Sequence, residues 1–362
     1  MSTIPERSIW TVSDDARTVV RHIDQTRLPG ELVIGALRSW QDADEAIRTM
    51  RVRGAPLIGV TGAYGICLAV QSDPSDANLA RAGAQLRDAR PTAVNLAREV
   101  DALVEKLSLL APQVRGEAAW AWAESLAAFD IETNSRIGRH GLPLIERAAR
   151  SKPDGAPVNV LTHCNAGALA AVAHGTATSP IYLAREAEIP VHVWVSETRP
   201  RLQGAALTAW ELDRRGVPHT LVVDSACAHL MQRGEVDMVI VGTDRTTRAG
   251  DVCNKIGTYS KALAARAHHV PFYAAVPSRS IDWSIRDGIH EIPIEERDAA
   301  EVVEVHRTGP ATGYVRIAPQ GTVVRNPAFD VTPCDLVTGL ITERGVCEPS
   351  EEELTELFPE MK

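Results

Sequence analysis

The apolar positions of the first 150 residues predict a small strand region followed by a long helical region. Short β-type runs at residues 18–20 and 32–34 are separated by a break at Pro29-Gly30. From residue 42 to about residue 150, apolar side chains recur at spacings near three and four, which is the period of an amphipathic helix. The polar segment at residues 151–155 then predicts a linker. We therefore expect one domain at residues 1–150 and a second at residues 151–362.

The hydrophobic pattern changes after the linker, where short Val-rich runs alternate with helical segments. Continuous apolar runs are typical of strands that are buried on both faces of a parallel sheet. Strand–helix alternation of this kind predicts a doubly wound α/β domain. The runs lie at residues 158–162, 191–195, 220–223, 238–241 and 272–276.

Polar or charged groups follow each of these five runs. In open parallel sheets, ligands bind beyond the carboxyl ends of the strands, so we expect these groups to face one crevice. One polar turn means little, whereas five in the same position indicate a binding site. In chain order the groups are Thr162-His163-Cys164-Asn165, Ser196-Glu197-Thr198-Arg199, Asp224-Ser225, Gly242-Thr243-Asp244-Arg245 and Pro277-Ser278-Arg279.

Cys164 is the first candidate for chemistry among these groups. It precedes Asn165-Ala166-Gly167-Ala168, which is typical of a helix start, and the exposed N–H groups of a helix start lower the pKa of a thiol. The alternative is a small buried hydrophobe, and position alone does not separate the two. His163 is expected to point the opposite way along the strand, so a Cys164–His163 dyad is not predicted.

Asp244 is the second candidate. A carboxylate at a strand end inside a closed crevice serves as a general acid or base when burial raises its pKa. The alternative, slightly favoured without further context, is a helix cap or an ion-pair partner of Arg245 or Arg248.

Basic residues at three places predict an anion site. The segment at residues 250–257 is typical of a loop entering a helix, where Lys255 and free N–H groups suit a phosphate. Arg53 and Arg90, in the helical region, would add guanidinium groups, which bind phosphate bidentately. The alternative is that most of the 38 basic residues are solvated surface groups, and taken singly each of these residues would be one of them.

Composition narrows the classes of function. The chain has 38 basic and 47 acidic side chains and a net charge of −9, which disfavours nonspecific binding to nucleic acid or to an anionic membrane. Its six cysteines form no C-x-x-C pair, so we expect reduced thiols in a cytosolic protein. Residues 1–10 have no apolar core and do not predict a signal peptide, and the apolar stretch at residues 57–70 is too short and glycine-rich to span a bilayer.

Three further sequence patterns give no indication of a binding or catalytic site. Gly59, Gly62 and Gly65 have the spacing G-x-x-G-x-x-G, which is not the dinucleotide-binding pattern. The histidines show no metal-ligand spacing with carboxylates. Thr332 and Gly345 are expected to begin and end the last helix of the domain.

Several sequence blocks together resemble the 5-methylthioribose-1-phosphate isomerases of the methionine salvage pathway. The resemblance runs over nearly the whole chain. The blocks are Arg53-Gly54-Ala55-Pro56 with Ile58-Gly59, Arg90-Pro91-Thr92-Ala93-Val94-Asn95-Leu96, Leu161-Thr162-His163-Cys164-Asn165-Ala166-Gly167, Glu197-Thr198-Arg199-Pro200 with Gln203-Gly204-Ala205, Gly242-Thr243-Asp244-Arg245 with Gly250-Asp251 and Asn254-Lys255-Ile256-Gly257-Thr258-Tyr259, and Asn326-Pro327-Ala328-Phe329-Asp330-Val331-Thr332-Pro333.

The resemblance implies an α/β protein with an N-terminal β-meander and helical domain, a C-terminal Rossmann-like parallel-sheet domain, and a homodimer. It implies that Cys164 and Asp244 are the catalytic pair. Our hypothesis for their roles is that Asp244 moves protons at the ring oxygen and O2 while Cys164 moves a proton between C2 and C1. A direct hydride shift from C2 to C1 is the alternative route. No metal or organic cofactor is needed. The residues implied in binding the sugar phosphate are Arg53, Gly54, Ala55, Arg90, Gln203, Asn254 and Lys255.

Two other functions stay open from the sequence. The same chemistry on 5-deoxyribose 1-phosphate or ribose 1,5-bisphosphate requires a different group at the C5 end of the pocket. A non-catalytic, nucleotide- or sugar-phosphate-sensing subunit is the other. The resemblance extends to such regulatory subunits of the translation-initiation exchange factor, which generally lack the catalytic pair that this chain carries.

Overall fold

The computed structural model describes residues 5–14, 17–90, 94–307 and 313–362. The chain forms two compact units. The first consists of Met1–Asn134 with Ala168–Gly175, and the second of Ser135–Gly167 with Thr176–Lys362. The division between them falls inside a long helix, before the segment at residues 151–155.

The first unit begins with a three-stranded antiparallel meander in the order β1-β2-β3. Helices follow it, and the first of them starts with a capping box in which Ser39 and Asp42 each bond the other's backbone N–H. The elements are β1 (Ile9–Asp14), β2 (Arg17–Ile23), β3 (Ile34–Leu37), α1 (Trp40–Arg48), α2 (Ala55–Ser72), α3 (Asp76–Arg87), α4 (Val94–Ser108) and α5 (Pro112–Arg150), which belongs to the second unit from Ser135 onward.

Helix α2 forms the centre of the first unit's apolar core. By length and composition it could cross a membrane, but 83% of it is buried within the fold, which accounts for its apolar character. A Cβ added at Gly62 would lie 2.6 Å from Leu96 Cδ1 of α4, and one at Gly65 would lie 2.8 Å from Leu86 Cδ1 of α3. The glycine spacing in this helix therefore serves close helix packing.

The second unit is built on a seven-stranded sheet in the order β16-β15-β10-β7-β4-β5-β6. All its neighbouring strands are parallel except β15 and β16. The strands of this sheet are β4 (Val158–His163), β5 (Val191–Ser196), β6 (His219–Val222), β7 (Met238–Val241), β10 (Phe272–Ala275), β15 (Gly339–Thr342) and β16 (Gly345–Cys347).

Two apolar clusters cover the two faces of this sheet. Successive strand residues point to opposite faces, so Val239 and Val241 of β7 join the cluster that contains α9 (Thr258–Ala267), whereas Met238 and Ile240 join the cluster that contains α5. The helices of this unit are α6 (Ser179–Glu186), a π-helix (Gly204–Thr208), α7 (Ala209–Arg214), α8 (Ala226–Gln232), α9 (Thr258–Ala267), α10 (Gly288–Glu291), α11 (Ala300–Val303) and α12 (Glu351–Leu357).

A four-stranded sheet in the order β11-β8-β9-β14 and a hairpin of β12 and β13 complete the unit. Their strands are β8 (Arg245–Thr247), β9 (Val252–Lys255), β11 (Ile281–Asp282), β12 (Glu304–Arg307), β13 (Gly313–Arg316) and β14 (Phe329–Thr332).

The predicted α/β fold is confirmed, and each of the five apolar runs forms a strand within one residue of the predicted ends. The prediction of a helix between Thr332 and Gly345 is wrong, because residues Gly339–Thr342 form β15. Leu340 and Ile341 are fully buried in different core clusters, one on each face of the sheet. Neighbouring residues that point to opposite faces are typical of a buried strand, not of one face of a helix.

Candidate active site

The order of strands in the large sheet reverses between β4 and β7. From β4 the chain adds β5 and β6 on one side, and it then places β7, β10 and β15 on the other side. In open α/β sheets, ligands bind at such a reversal, beyond the carboxyl ends of the strands. Cys164 directly follows β4, and Asp244 follows β7 after Gly242 and Thr243. Both candidates therefore lie at this crevice.

Cys164 is buried, with 7% of its surface exposed, and it leaves β4 with a φ of 61°. The helix expected directly after it is not formed, since only a 3-10 turn, Ala168–Ala170, follows. The reason is that the carbonyls of Cys164 and Ala166 accept hydrogen bonds from Thr208 and Ala177 instead of from the next turn of a helix. The predicted effect of a helix dipole on this thiol is therefore wrong.

His163 takes part in a buried hydrogen-bond network that also includes Thr198, whose hydroxyl accepts the backbone N–H of Cys164. Its Nε2 lies 2.8 Å from the carbonyl oxygen of Ile256 and its Nδ1 lies 3.2 Å from Ser196 Oγ. A carbonyl oxygen only accepts, so Nε2 carries the proton. Burial, and then the charge of Lys261, lowers the pKa of His163 to about 3, so the ring is neutral near pH 7.

Asp224 is the acceptor at the centre of this network. The Ser196 hydroxyl and the backbone N–H groups of Thr198 (2.9 Å) and Arg199 (2.7 Å) donate to it, and the Lys261 ammonium lies 3.9 Å away. Burial raises the pKa of Asp224, but these hydrogen bonds and Lys261 hold it below its ordinary value. The position of Asp224 at a strand end is visible in the sequence, whereas the burial of Lys261 is not, because a lysine in an alanine-rich helix gives no signal of burial.

Asp244 stands at the start of a hairpin. The backbone N–H of Asp244 donates to the carbonyl of Cys253 over 3.0 Å. Asp244 directly precedes the strand β8, so it is not a helix cap. The two arginines considered as its partners bind other carboxylates. Arg245 Nε bonds Asp282 over 2.9 Å, and Arg248 pairs with Glu351 over 2.8 Å.

Asn254 and Lys255 lie on β9, where a loop was expected. Asn254 Nδ2 donates to Thr258 Oγ1 over 3.0 Å. The Lys255 ammonium donates to the carbonyl of Ala328 over 2.8 Å and lies 4.4 Å from the ring centroid of Phe329. Both side chains are buried, so their polar ends are held within the unit rather than in bulk solvent.

The start of α9 carries a carboxylate of the protein itself. Asp330 accepts hydrogen bonds from the backbone N–H groups of Gly257 and Tyr259. The prediction that free N–H groups at this helix start bind a phosphate is wrong for these two groups, because Asp330 on β14 occupies them.

Gln203 precedes the π-helix and is 4% exposed. Its Oε1 is buried and accepts no hydrogen bond from the part of the chain that the structure describes. Leaving a buried amide oxygen unpaired costs about 1–3 kcal/mol, so this atom is a candidate for contact with a ligand.

The remaining predicted site residues belong to the first unit. Gly54 has a φ of 97°, and a Cβ there would lie 2.4 Å from the carbonyl oxygen of Ala170, so the position requires glycine. It precedes α2, which starts at Ala55, and Arg53 beside it is 8% exposed. Arg90 Nη1 lies 3.3 Å from Met50 Sδ, and residues 91–93 of its sequence block lie outside the described residues.

The comparisons with known proteins identify the family. Residues 51–349 match the sequence profile of the Initiation factor 2 subunit family. The chain belongs to this family. A relative named methylthioribose-1-phosphate isomerase, from Brucella anthropi, is 56% identical over 355 residues, which cover 98% of this chain and 97% of the relative.

Two solved structures of the family share the fold over almost their whole length. The crystal structure of 5-methylthioribose 1-phosphate isomerase from Pyrococcus horikoshii OT3 has a TM-score of 0.82 at 38% identity and covers 98% of this chain and 96% of its own. That of translation initiation factor eIF-2B, subunit delta, from A. fulgidus has a TM-score of 0.81 at 38% identity and covers 98% and 99%. The resemblance seen in the sequence blocks is thereby confirmed.

Proposed function

We propose that this member of the Initiation factor 2 subunit family is an aldose–ketose isomerase of methionine salvage. It converts 5-methylthioribose 1-phosphate into 5-methylthioribulose 1-phosphate. Relatives that are 56% identical over nearly the whole chain carry the name of this enzyme. The structural observation that carries the proposal is the position of Cys164 and Asp244 beyond the ends of two adjacent strands, where the strand order reverses.

The reaction moves hydrogen within one molecule. Phosphate on the C1 oxygen prevents the sugar from opening to a free aldehyde before the reaction. The bond between C1 and the ring oxygen must therefore break during the isomerisation itself. The ring oxygen gains a proton, O2 loses one, and a hydrogen moves from C2 to C1. Asp244 carries the proton from O2 to the ring oxygen, and Cys164 carries the one from C2 to C1. No external oxidant or reductant enters this balance.

The groups proposed to bind the sugar phosphate are those that the family resemblance implies. Their polar atoms orient the substrate, and a buried site excludes water from the intermediate. They are Arg53, Gly54, Ala55, Arg90, Gln203, Asn254 and Lys255.

The proposal extends to the setting of the enzyme. The resemblance to the isomerases supports a homodimer. The polar linker predicted at residues 151–155 supports two domains divided at residue 150, and the cysteine spacing supports a place in the cytoplasm. The small-molecule substrate is the partner, without metal, organic cofactor, nucleic acid or membrane.

The proposal is tested by assaying the purified chain without added metal or cofactor. The substrates are 5-methylthioribose 1-phosphate, 5-deoxyribose 1-phosphate and ribose 1,5-bisphosphate, and the ketose phosphate is followed by phosphorus and proton NMR. The highest kcat/KM is expected for the methylthio sugar. A higher value for either other sugar reassigns the substrate, and a folded protein that turns over none of the three is a sensing subunit instead.

Running the same reaction in deuterated water separates the two routes for the hydrogen at C2. Transfer through the Cys164 thiol, which exchanges with solvent, places deuterium at C1 of the product. A product without deuterium at C1 favours the direct hydride shift or a transferred proton that is sheltered from solvent.

A further inference from the structure

The backbone of Cys164 adopts a conformation that a cysteine does not favour. Its φ of 61° lies in the left-handed region, which costs a non-glycine residue about 1–2 kcal/mol. Such strain persists only where neighbouring groups over-determine the conformation, and it is concentrated at functional sites. The direction of the Cα–Cβ bond, and so the position of the thiol, depends on this backbone angle.

Two threonine hydroxyls hold the two polar backbone groups of Cys164. Thr198 Oγ1 accepts the backbone N–H of Cys164 over 2.8 Å, and Thr208 Oγ1 donates to its carbonyl oxygen over 2.6 Å. Thr198 is 0% exposed and Thr208 is 1% exposed. Water therefore does not compete for either bond.

The Thr208 hydroxyl is itself oriented by a neighbouring amide. Asn165 Nδ2 donates to Thr208 Oγ1 over 3.1 Å and to Glu211 Oε1 over 2.9 Å. An amide nitrogen only donates, so the Thr208 oxygen accepts from Asn165 and its own proton is directed to the carbonyl of Cys164. The side chain of the residue after Cys164 thus sets the direction of this bond.

Thr208 reaches Cys164 from the last position of the π-helix. This helix packs so closely on the end of β5 that a Cβ at Gly204 would lie 1.7 Å from the carbonyl oxygen of Ser196. Short π-helical turns are rare and often occur at functional sites. Here the turn brings the Thr208 hydroxyl to the end of β4.

Thr198 is oriented from the other side by Asp224. That carboxylate accepts the backbone N–H groups of Thr198 and Arg199, and Thr198 itself has a φ of 66°. The Thr198 hydroxyl donates to the carbonyl of Ser196 over 2.9 Å, so its lone pair faces the N–H of Cys164.

We propose that Thr198 and Thr208 are positioning residues for the thiol of Cys164. Their hydroxyls hold the backbone of Cys164 in its left-handed conformation and so set where the sulfur lies at the crevice. This inference rests on the proposed function, in which Cys164 carries a proton between two carbons of the substrate. A thiol displaced by about 1 Å loses about a hundredfold in rate.

The test replaces each hydroxyl by a methyl group of equal size in the full chain. Thr208→Val is expected to lower kcat at least tenfold and to leave KM within twofold, and Thr208→Ser, which keeps the hydroxyl, is expected to restore kcat to within threefold. Thr198→Val and Thr198→Ser form a second pair, which carries the test if Thr208→Val does not fold. An unchanged kcat in a folded valine variant overturns the proposal, as does a serine variant that is no better than valine.

Thr342 provides the matched control. Its hydroxyl is also buried, donates to the carbonyl of Gly345 over 3.0 Å and accepts the N–H of Arg344 over 3.1 Å, but it lies on β15, which β10 and β7 separate from β4. Thr342→Val is expected to lower Tm as Thr208→Val does, with kcat unchanged. If Thr342→Val lowers kcat as much as Thr208→Val, the effect is one of general stability and the proposal is wrong.

Crystal structures of the wild type and of Thr208→Val keep the inference separate from the proposed function, since they need no substrate. A change of the Cys164 φ out of the left-handed region in Thr208→Val supports the positioning role even if none of the three sugars is turned over. A φ that stays near its wild-type value, with the sulfur in place, overturns it.

Discussion

The carboxylate of Asp330 accepts a hydrogen bond from the backbone N–H of Gly257 over 2.7 Å. A second hydrogen bond, from the N–H of Tyr259, makes Asp330 the acceptor at the start of α9. Burial has the largest effect on this group and raises its pKa to about 6, although both hydrogen bonds and the charges of Lys261 and Lys255 act in the opposite direction. A buried carboxylate of this kind makes stability depend on pH.

We expect the Asp330→Asn variant to gain stability relative to the wild type as the pH rises. The folded pKa of Asp330 lies above its unfolded value of 3.8, so the folded state binds more protons between the two values. Protonated Asp330 contributes about 2–3 kcal/mol to the free energy of unfolding. This contribution is fully present below pH 3.8 and is lost as the pH rises through 6. Urea unfolding of both proteins at several values between pH 4 and pH 7 measures the difference, and curves that stay parallel would contradict it.

Cys164→Ser is expected to reduce kcat at least about a hundredfold, the range lost with a proton-transferring group, because a serine hydroxyl is a much weaker acid than a thiol. Cys347 is the control, since it is also 7% exposed but lies on β16, at the edge of the sheet. Burial raises the pKa of the Cys347 thiol to about 12, and β15 and β10 separate its strand from β7 and β4, so we expect Cys347→Ser to leave kcat unchanged. Steady-state kinetics that show equal losses in Cys164→Ser and Cys347→Ser would remove Cys164 from the mechanism.

Asp244→Asn is expected to lower kcat by a similar factor while circular dichroism shows the fold intact. An amide has the shape of the carboxylate but cannot take up a proton from O2. Asp237, which directly precedes β7 at its other end, is the matched control. It bonds Lys152 and the backbone N–H of Asn159, so Asp237→Asn should lower Tm and leave kcat unchanged. Full turnover by Asp244→Asn would exclude the carboxylate from the reaction.

Lys255→Ala is expected to raise KM at least tenfold with little change in kcat, because one charge-assisted hydrogen bond to phosphate contributes about 1.5–3 kcal/mol. Lys106 is a suitable control, since its ammonium lies 4.6 Å from the ring centroid of Trp122 as Lys255 lies against Phe329, but it is exposed on α4. Inhibition by inorganic phosphate provides the second measurement. An inhibition constant that is the same for Lys255→Ala and Lys106→Ala would contradict phosphate binding by Lys255.

The sequence by itself determined the α/β fold and five of the seven strands of the large sheet. A strand buried on both faces must be apolar at every position, so runs such as residues 238–241 are visible without any partner. The positions of Cys164 and Asp244 at strand ends follow from the same runs. The family blocks add the implied roles of these two residues, which the predictions above test.

Only the tertiary structure decided which polar groups share a buried environment. Lys261 has the local pattern of a surface lysine, and it is buried because α9 packs where the Asp224 carboxylate lies. Asp330 meets Gly257 across 73 residues of sequence through the pairing of β14 with β9. The left-handed turn at Cys164 depends on hydroxyls that are 34 and 44 residues away. Hydrogen bonds of this kind are set by the packing of distant elements, and short-range sequence patterns carry no record of them.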